Sequence, residues 1–336
     1  MPHPNFLPEG IKSLVDWQTA HIRHDPDFRR DIKKLVGGIE AILKIANTTP
    51  DTILLKESLS ESILLPRSPI SQTVTSSRKS IAKQTKPRKT TDKSLKTIYL
   101  GKGTKLELLY IPSFKFLMGP PEGEGNDFEC LQHEVILPEF WMSKYPVTQA
   151  QYQVVTGENP SRFKGFLGLF QNRNRPVERV SWHDANGFCQ KVFQKSGEFI
   201  RLPSEAEWEY ACRARTTTPY SFGETITKQQ ACYDRTTKEG TTPVGSYSAN
   251  TFGLYDMHGN VWEWCQDQYH DSYNGAPTDG TAWEDREKNA SCILRGGSWN
   301  NSPRSCRSAV RDIVTPGYRG YAVGFRVVCS APRILQ

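Results

Sequence analysis

The sequence predicts an irregular α+β domain with short strands and a few helices over residues 97–332, preceded by a helical segment and a disordered linker. Three observations predict it. Short apolar runs are separated by turn residues, capped helical segments lie between them, and a stretch rich in Ser, Thr, Lys and Pro comes before them. The chain has 336 residues, of which 37% are hydrophobic, so it can bury the core of one large domain or two ordinary ones.

Three helices are predicted from the residues that start them. Thr148 precedes QAQYQVV and Ser204 precedes EAEWEYACRA, each with Gln or Glu at the third helical position, so that side chain and hydroxyl can cap each other's backbone N–H groups. Ser181 precedes a third helix, which Gly197 ends. The remaining apolar runs predict short strands: LELLYIPSFKFLMG, HEVILPEFWMSKYPV, TTPVGSY, CILRGGSW and VGFRVVC.

Most of the net charge of +7 lies in the linker, residues 51–96. Between Arg67 and Lys96 there are nine basic residues and one acid, Asp92, which leaves the rest of the chain close to −1. Almost no large apolar residue is present to offset the entropy of ordering. No aromatic residue is interleaved for base stacking, so a solvated spacer is favoured over a tether for nucleic acid or acidic lipid, and no specific nucleic-acid partner is expected.

Residues 1–50 are predicted to contain a helix that begins at Asp27 and carries one apolar stripe. So short a segment cannot form a good core alone and is expected to need a helical partner. The stretch NFLPEG to EAIL resembles the C-terminal end of a TIR domain, without the nucleotide-cleaving part, so the resemblance implies no NAD cleavage. A generic amphipathic helix that pairs with another protein is the other interpretation, and both stay open.

The location of the protein is predicted from three negative observations. No apolar run reaches the length that crosses a bilayer, and MPHPNFLPEG has no basic region followed by an apolar stretch. The eight cysteines include no CxxC pair, which disfavours a cysteine zinc site. We therefore expect a cytoplasmic protein, with no membrane span and with reduced thiols.

Six sequence blocks occur in order and carry a family resemblance. They are FLMGPPEGEGND with HEVILPEFWMSKYPVTQAQYQ, NRPVERVSWHDANGFCQ, RLPSEAEWEYACRA, NTFGLYDMHGNVWEWCQD, LRGGSWNN and VGFRVVC. Residues 97–332 resemble the formylglycine-generating enzyme family of sulfatase-modifying factors. The resemblance implies an irregular C-type-lectin-like fold. It does not decide the activity, because the family has several functions.

The loop after GGSW decides what the resemblance implies for catalysis. In oxidising members two cysteines five residues apart bind copper(I) there. In GGSWNNSPRSCRSAVR, Cys306 aligns with the second cysteine and Asn301 occupies the first position. One thiolate cannot form a two-coordinate copper site, so copper is not expected. Protein cysteine oxidation, or a related oxidoreductase activity with Cys306 as its catalytic residue, is the alternative function.

The resemblance also implies calcium at LYDMHGNVWEW. The ligands carried over by position are the Asp256 and Glu263 side chains with the Gly259 and Val261 carbonyls. Carboxylates with carbonyl oxygens suit a hard cation. The other interpretation is that these carboxylates only accept hydrogen bonds from turn amides.

The segment Asn300–Val323 lacks Lys, Glu, Gln, Met and Trp. Randomising the adenines of asparagine-type codons produces the residue types that it does contain. LRGGSW, CRSA and GFRVV are similar to the variable proteins of diversity-generating retroelements, which display a changeable surface on the same lectin-like fold. A rigid scaffold can carry such a surface because loop side chains vary without unfolding it.

These observations predict a module that binds a macromolecular ligand, protein or glycan, through the loop 300–322. Tyr318 and Tyr321 are the best anchor candidates, since aromatic residues dominate binding hot spots. A structural module within a larger signalling or defence protein is a further alternative. The predicted binding residues are Asn300, Asn301, Ser302, Ser305, Val310, Asp312, Ile313, Val314, Thr315, Tyr318 and Tyr321.

Overall fold

The computed structural model describes residues 94–121, 125, 132–164, 173–285 and 290–330. They all belong to one compact unit, Pro87–Gln336. The predicted helical segment and the predicted linker as far as residue 93 lie outside the described residues. The end of that linker is corrected, because Leu95 and Lys96 pair with the next strand and Lys96 forms an ion pair with Glu198 at 2.6 Å.

The described chain has ten short strands, three α-helices and a 3-10 helix. In chain order they are β1 (Leu95–Gly101), β2 (Thr104–Ile111), β3 (Phe114–Met118), β4 (His133–Leu137), β5 (Phe140–Ser143), α1 (Gln149–Thr156), α2 (Trp182–Ser196), α3 (Glu205–Arg213), β6 (Trp262–Gln268), β7 (Cys292–Arg295), the 3-10 helix (Pro303–Cys306), β8 (Arg311–Val314), β9 (Val323–Gly324) and β10 (Val328–Ser330). The α+β prediction is confirmed, and the mixture matches the irregular lectin-like class.

The strands form two four-stranded sheets and one hairpin. The first sheet has the order β1-β2-β5-β10 with every pair antiparallel, and β3 pairs with β4. The second sheet has the order β8-β7-β6-β9, in which only β6 and β9 run parallel. β8 and β9 are therefore opposite edges of the second sheet, and the chain between them must pass along that sheet.

All three predicted helix starts are confirmed. The hydroxyls of Thr148, Ser181 and Ser204 each accept a hydrogen bond from the backbone N–H three residues later, at 3.1–3.2 Å, and each helix has a reciprocal capping box. These signals are local, which is why the sequence contains them in full. Gly197, with a φ of 72°, ends α2 as predicted.

One predicted strand is absent, since TTPVGSY contains none. Two strands occur where none was predicted: β6, which begins in the GNVWEW block, and β8, which lies with the 3-10 helix in the predicted loop 300–322. Burial explains β6: its residues 262–265 are all buried, so both sides of the strand are apolar or paired and no alternation marks it.

The core contains the three tryptophans of the GNVWEW and GGSW blocks. Trp264 and Trp299 are fully buried and Trp262 nearly so. Gly297 shows why GGSW needs glycine, because its φ is 71° and a Cβ there would lie 2.6 Å from the Cys306 sulfur. The seven described cysteines are free and buried. Among the helices of the described residues, none has the length and apolar character needed to span a membrane.

Candidate functional site

The chain between β8 and β9 runs alongside residues 179–182. The Arg179 N–H donates to the Gly320 carbonyl at 3.0 Å, and the Trp182 N–H donates to the Pro316 carbonyl at 3.1 Å. Residues 179–182 are themselves fixed to the sheet, since the Trp264 indole N–H donates to the Val180 carbonyl at 2.9 Å. The crossing segment is thus held by its backbone, which leaves the side chains between these contacts directed outward.

Six of the eleven predicted binding residues are exposed: Asn300, Ser302, Asp312, Thr315, Tyr318 and Tyr321. Asn301, Ser305, Ile313 and Val314 are half-buried. Val310 is 5% exposed and belongs to the main core cluster, so the expectation that it points to solvent was wrong. It lies just before β8, where the chain enters the sheet.

The exposed residues do not form one continuous group. Asp312 lies on the edge strand β8, opposite Leu294. Tyr321 lies at the other edge, two residues before β9, and its carbonyl accepts the Trp299 indole N–H at 3.3 Å. We call the surface formed by Asn300, Asn301, Ser302, Tyr318 and Tyr321 the candidate face.

A stack of rings supports the candidate face from beneath. The buried Trp299 ring lies 5.8 Å from the Tyr321 ring and 5.3 Å from the Phe163 ring, and it meets Phe163 edge-on. The Arg162 guanidinium lies over Tyr321 at 5.3 Å and over Phe163 at 5.8 Å. A rigid aromatic base of this kind holds an exposed tyrosine in place before any ligand binds.

Sequence reasoning missed Arg162, Phe163 and Arg179. Arg162 and Phe163 precede Tyr321 by more than 150 residues, and no local pattern links them to it. Arg179 has a φ of 62°, the left-handed region that disfavours side chains, and the bond from its N–H to Gly320 maintains this conformation. The position of these residues follows from tertiary packing alone.

Glu178 lies buried under the same surface. One carboxylate oxygen accepts the Phe163 N–H at 2.8 Å, and the other, also buried, has no hydrogen-bond partner. Burial raises the pKa of Glu178 to about 7. Its carboxyl therefore fixes the loop that carries Arg162 while adding little exposed negative charge.

Cys306 does not fit the oxidase arrangement. Its side chain is fully buried, and burial raises the pKa of its thiol to about 12, whereas a copper ligand must be a thiolate. Asn301, at the position of the other cysteine, supplies an amide whose oxygen is in contact with the Ser298 hydroxyl. The residues present therefore do not fit a two-thiolate copper site.

The buried His258 fixes the backbone around Cys306. The Ser221 N–H donates to Nε2 of His258 at 3.1 Å, so Nε2 is unprotonated and Nδ1–H donates to the Cys306 carbonyl at 2.8 Å. Burial lowers the pKa of His258 to about 4, consistent with a neutral ring. This network gives Cys306 a structural role.

The carried-over calcium ligands do not fit calcium. Both oxygens of Glu263 accept from the Arg326 guanidinium, at 2.6 and 2.9 Å, and one also accepts the Trp208 indole N–H at 2.7 Å. Asp256 accepts the Gly245 N–H at 2.8 Å, and burial raises the pKa of Asp256 to about 6. A carboxylate whose two oxygens already accept hydrogen bonds from arginine, and another whose ionised form is disfavoured by burial, are poor ligands for a hard cation.

The Gly259 carbonyl is occupied as well, since it accepts the Val261 N–H at 2.9 Å. Across the described residues, there is no group of three or more His, Cys, Asp or Glu side chains arranged to hold a metal ion. Asp256, Gly259 and Val261 thus make hydrogen bonds of the turn before β6, and Glu263, on β6 itself, pairs with Arg326.

Comparison with known proteins gives consistent results for the lectin-like domain. The sequence pattern of the sulfatase-modifying factor enzyme 1-like domain matches residues 101–331. A serine/threonine-protein kinase, pkn1, of Chlamydia caviae is 34% identical over 241 residues, which are 66% of this chain and 37% of the kinase. A formylglycine-generating enzyme of Streptomyces coelicolor is 35% identical over 181 residues, which are 47% of this chain and 54% of the enzyme.

Among solved structures, Treponema denticola variable protein 1 superposes with a TM-score of 0.62 at 28% identity, over 70% of this chain and 99% of the variable protein. The chain spans only a little over a third of the length of the pkn1 relative. The similarity to these proteins is therefore a similarity of one shared domain.

Proposed function

This chain belongs to the family of sulfatase-modifying factor enzyme 1-like domains, and we propose that within this family it is a ligand-binding module. In this proposal the candidate face recognises a protein or glycan. The observation that carries it is the pair of exposed tyrosines, Tyr318 and Tyr321, which are 48% and 38% exposed on a backbone fixed by hydrogen bonds. Rigid exposed aromatics provide contact area at low entropic cost.

The similarity to a variable protein supports the same proposal. In its finer form, the residues of the candidate face are ones that a diversity-generating retroelement alters. A nearby near-repeat of the DNA that encodes residues 290–330, with adenines where this copy differs, is the expected sign. If the surrounding DNA contains no such repeat, this finer form fails and the binding proposal is tested by itself.

The direct test is selection of ligands for the full chain from a phage library of random peptides and from a glycan array. Ligands obtained this way are then measured against Tyr318→Ser/Tyr321→Ser. A matched control is Phe193→Ser/Phe199→Ser, which removes two exposed aromatic rings elsewhere on the domain. Binding lost in the tyrosine variant and kept in the control supports the proposal, and equal binding to both contradicts it.

The binding proposal and the oxidase alternative predict opposite results in one assay. On the binding proposal, incubation of the full chain with copper and a sulfatase-type cysteine peptide gives no formylglycine, because a single buried thiol cannot form the copper site. Turnover that disappears in Cys306→Ala would replace the binding proposal with an enzymatic one. Mass spectrometry of the peptide measures the outcome.

A further inference from the structure

Three cations lie on the segments beside the candidate face, and within the described part of the chain none of them has a carboxylate partner. Arg162, Lys164 and Arg179 are exposed, and none of them forms an ion pair with a described residue. By contrast, Arg319, the arginine of the crossing segment, donates two hydrogen bonds to the Asp184 carboxylate, at 2.7 and 2.9 Å. We call Arg162, Lys164 and Arg179 the rim cations.

One side-chain contact and two backbone contacts locate the rim cations beside Tyr321. Arg162 stacks over the Tyr321 ring, and the Arg179 backbone is bonded to Gly320, the residue before Tyr321. Lys164 follows on the same loop as Arg162, and its N–H donates to the Arg162 carbonyl at 3.1 Å. Positive charge and exposed aromatic surface are therefore adjacent.

The stacked arrangement leaves the Arg162 guanidinium able to bind a carboxylate. A guanidinium that lies over a ring keeps its N–H donors in its own plane, where a carboxylate can accept two of them. The nearby acid that could neutralise it, Glu178, is fully buried and accepts the Phe163 backbone N–H instead. The rim thus has unmatched positive charge, although the chain outside the linker has almost no net charge.

Resting on the proposed function, we propose that the candidate face binds an acidic protein segment in which carboxylates alternate with apolar side chains. The rim cations pair with the carboxylates, and Tyr318 and Tyr321 pack against the apolar residues. A nucleic acid fits less well, because its phosphates need a continuous row of cations, whereas three rim cations can serve only a few spaced carboxylates. The exposed Asp234 carboxylate, whose backbone meets Asn301, repels any anion, so the acidic side chains of the ligand are expected on the side of Arg162.

The experiment uses the full chain and a phage library of random peptides. Selected peptides are measured by biolayer interferometry against wild type and against Arg162→Gln/Lys164→Gln/Arg179→Gln. The matched control is Lys102→Gln/Lys115→Gln/Lys191→Gln, which removes the same charge from exposed lysines away from the face. Both variants keep the basic linker, so its own attraction for acidic peptides cancels in the comparison.

We expect selected peptides to be enriched in Asp and Glu beside apolar residues, and to bind the rim variant about tenfold more weakly while the control is unchanged. Thermal unfolding of both variants shows whether they fold, and Arg162→Lys provides a milder second variant that keeps the charge but loses the planar donors.

Other results overturn the proposal in distinguishable ways. Peptides without acidic enrichment that are lost only in Tyr318→Ser/Tyr321→Ser would refute the acidic ligand and leave the binding module intact. Heparin or single-stranded DNA that binds through the rim cations, with no peptide doing so, would replace the protein ligand by a phosphate or sulfate chain. No ligand that depends on the face or its rim would refute both proposals.

Discussion

The interior around β6 and the candidate face differ in how their charged side chains are buried and paired. In the interior, Glu263 is held by Arg326, and Glu209 is held by Arg213 and Arg295, with all of these side chains nearly or fully buried. Next to the face, Arg319 is exposed and its ion pair with Asp184 is only partly buried, and the rim cations form no ion pair with any residue that the structure describes. The comparison teaches that stability and recognition are supplied by different residues, so each can be altered separately.

The largest expected effect is a loss of stability when the buried ion pair of Arg326 with Glu263 is broken. Arg326→Met leaves the Glu263 carboxylate buried with only the Trp208 indole as a donor, and breaking a buried pair on one side costs about 3–5 kcal/mol. Urea unfolding of the full-length variant, compared with wild type, measures this loss of stability.

An arginine-to-methionine substitution at the exposed Arg319 is the control. Arg319→Met breaks an exposed pair, and such pairs contribute about 0–1 kcal/mol. If both variants lose the same stability, the distinction between the two regions fails.

A smaller loss is expected at Val310, the one predicted face residue that belongs to the interior. Val310→Ala removes two buried methyl groups and leaves a small cavity, which should cost roughly 2 kcal/mol. Thr315→Ala, an exposed neighbour along the chain, should leave the midpoint of unfolding in urea unchanged. An unaltered midpoint for Val310→Ala would place this residue on the surface after all.

Val310 also shows where sequence reasoning ends. The starts of α1, α2 and α3 were predictable, because the capping hydroxyl and its partner lie three residues apart. Val310 was not, because its burial depends on β8 pairing with β7. The family resemblance gave the fold, but no local signal could bring Arg162 onto Tyr321.

The carried-over ligands failed for a similar reason. Asp256 and Glu263 match the family positions, but Arg326, 63 residues after Glu263, occupies both oxygens of that carboxylate. A motif gives the residue types of a site, while their availability depends on what packs against them.

Buried carboxyls give the next effect, a dependence of stability on pH. Burial raises the pKa of Glu178 and Asp267 to about 7 and that of Asp256 to about 6, all above the ordinary values of about 4 in an unfolded chain. Between about pH 4 and 7 these three carboxyls bind more protons in the folded state, whereas the buried His258, whose pKa is lowered to about 4, binds fewer. Because three groups outweigh one, the free energy of unfolding falls as pH rises through this window. Differential scanning calorimetry should show a lower Tm at pH 8 than at pH 5.5.

Glu178→Gln isolates the contribution that comes from beneath the face. Its amide cannot ionise, so the fall in Tm between pH 5.5 and 8 should shrink by a few degrees, given that about 1 kcal/mol corresponds to about 2–4 °C for a domain of this size. Glu158→Gln, which alters an exposed acid, is the control. A Tm difference between the two pH values that is the same in both variants would show that Glu178 is ionised in the folded protein at pH 5.5.

The smallest expected effect on stability comes from the six predicted binding residues that are exposed. Simultaneous replacement of Asn300, Ser302, Asp312, Thr315, Tyr318 and Tyr321 by other polar or aromatic residues removes only exposed groups, each of which should contribute within about ±0.5 kcal/mol. The backbone bonds of Gly320 and Pro316 to residues 179–182 involve no replaced side chain and should remain.

Urea unfolding of this six-residue variant should therefore give a midpoint close to wild type. A parallel variant that includes Val314, which is half-buried and packs against the core, should be less stable, because it removes an interior contact. If the six exposed replacements alone cost several kcal/mol, these side chains support the fold, and a surface whose residues can vary is refuted. If they cost little while ligand binding is lost, residues that stabilise the domain and residues that recognise its ligand are separate sets.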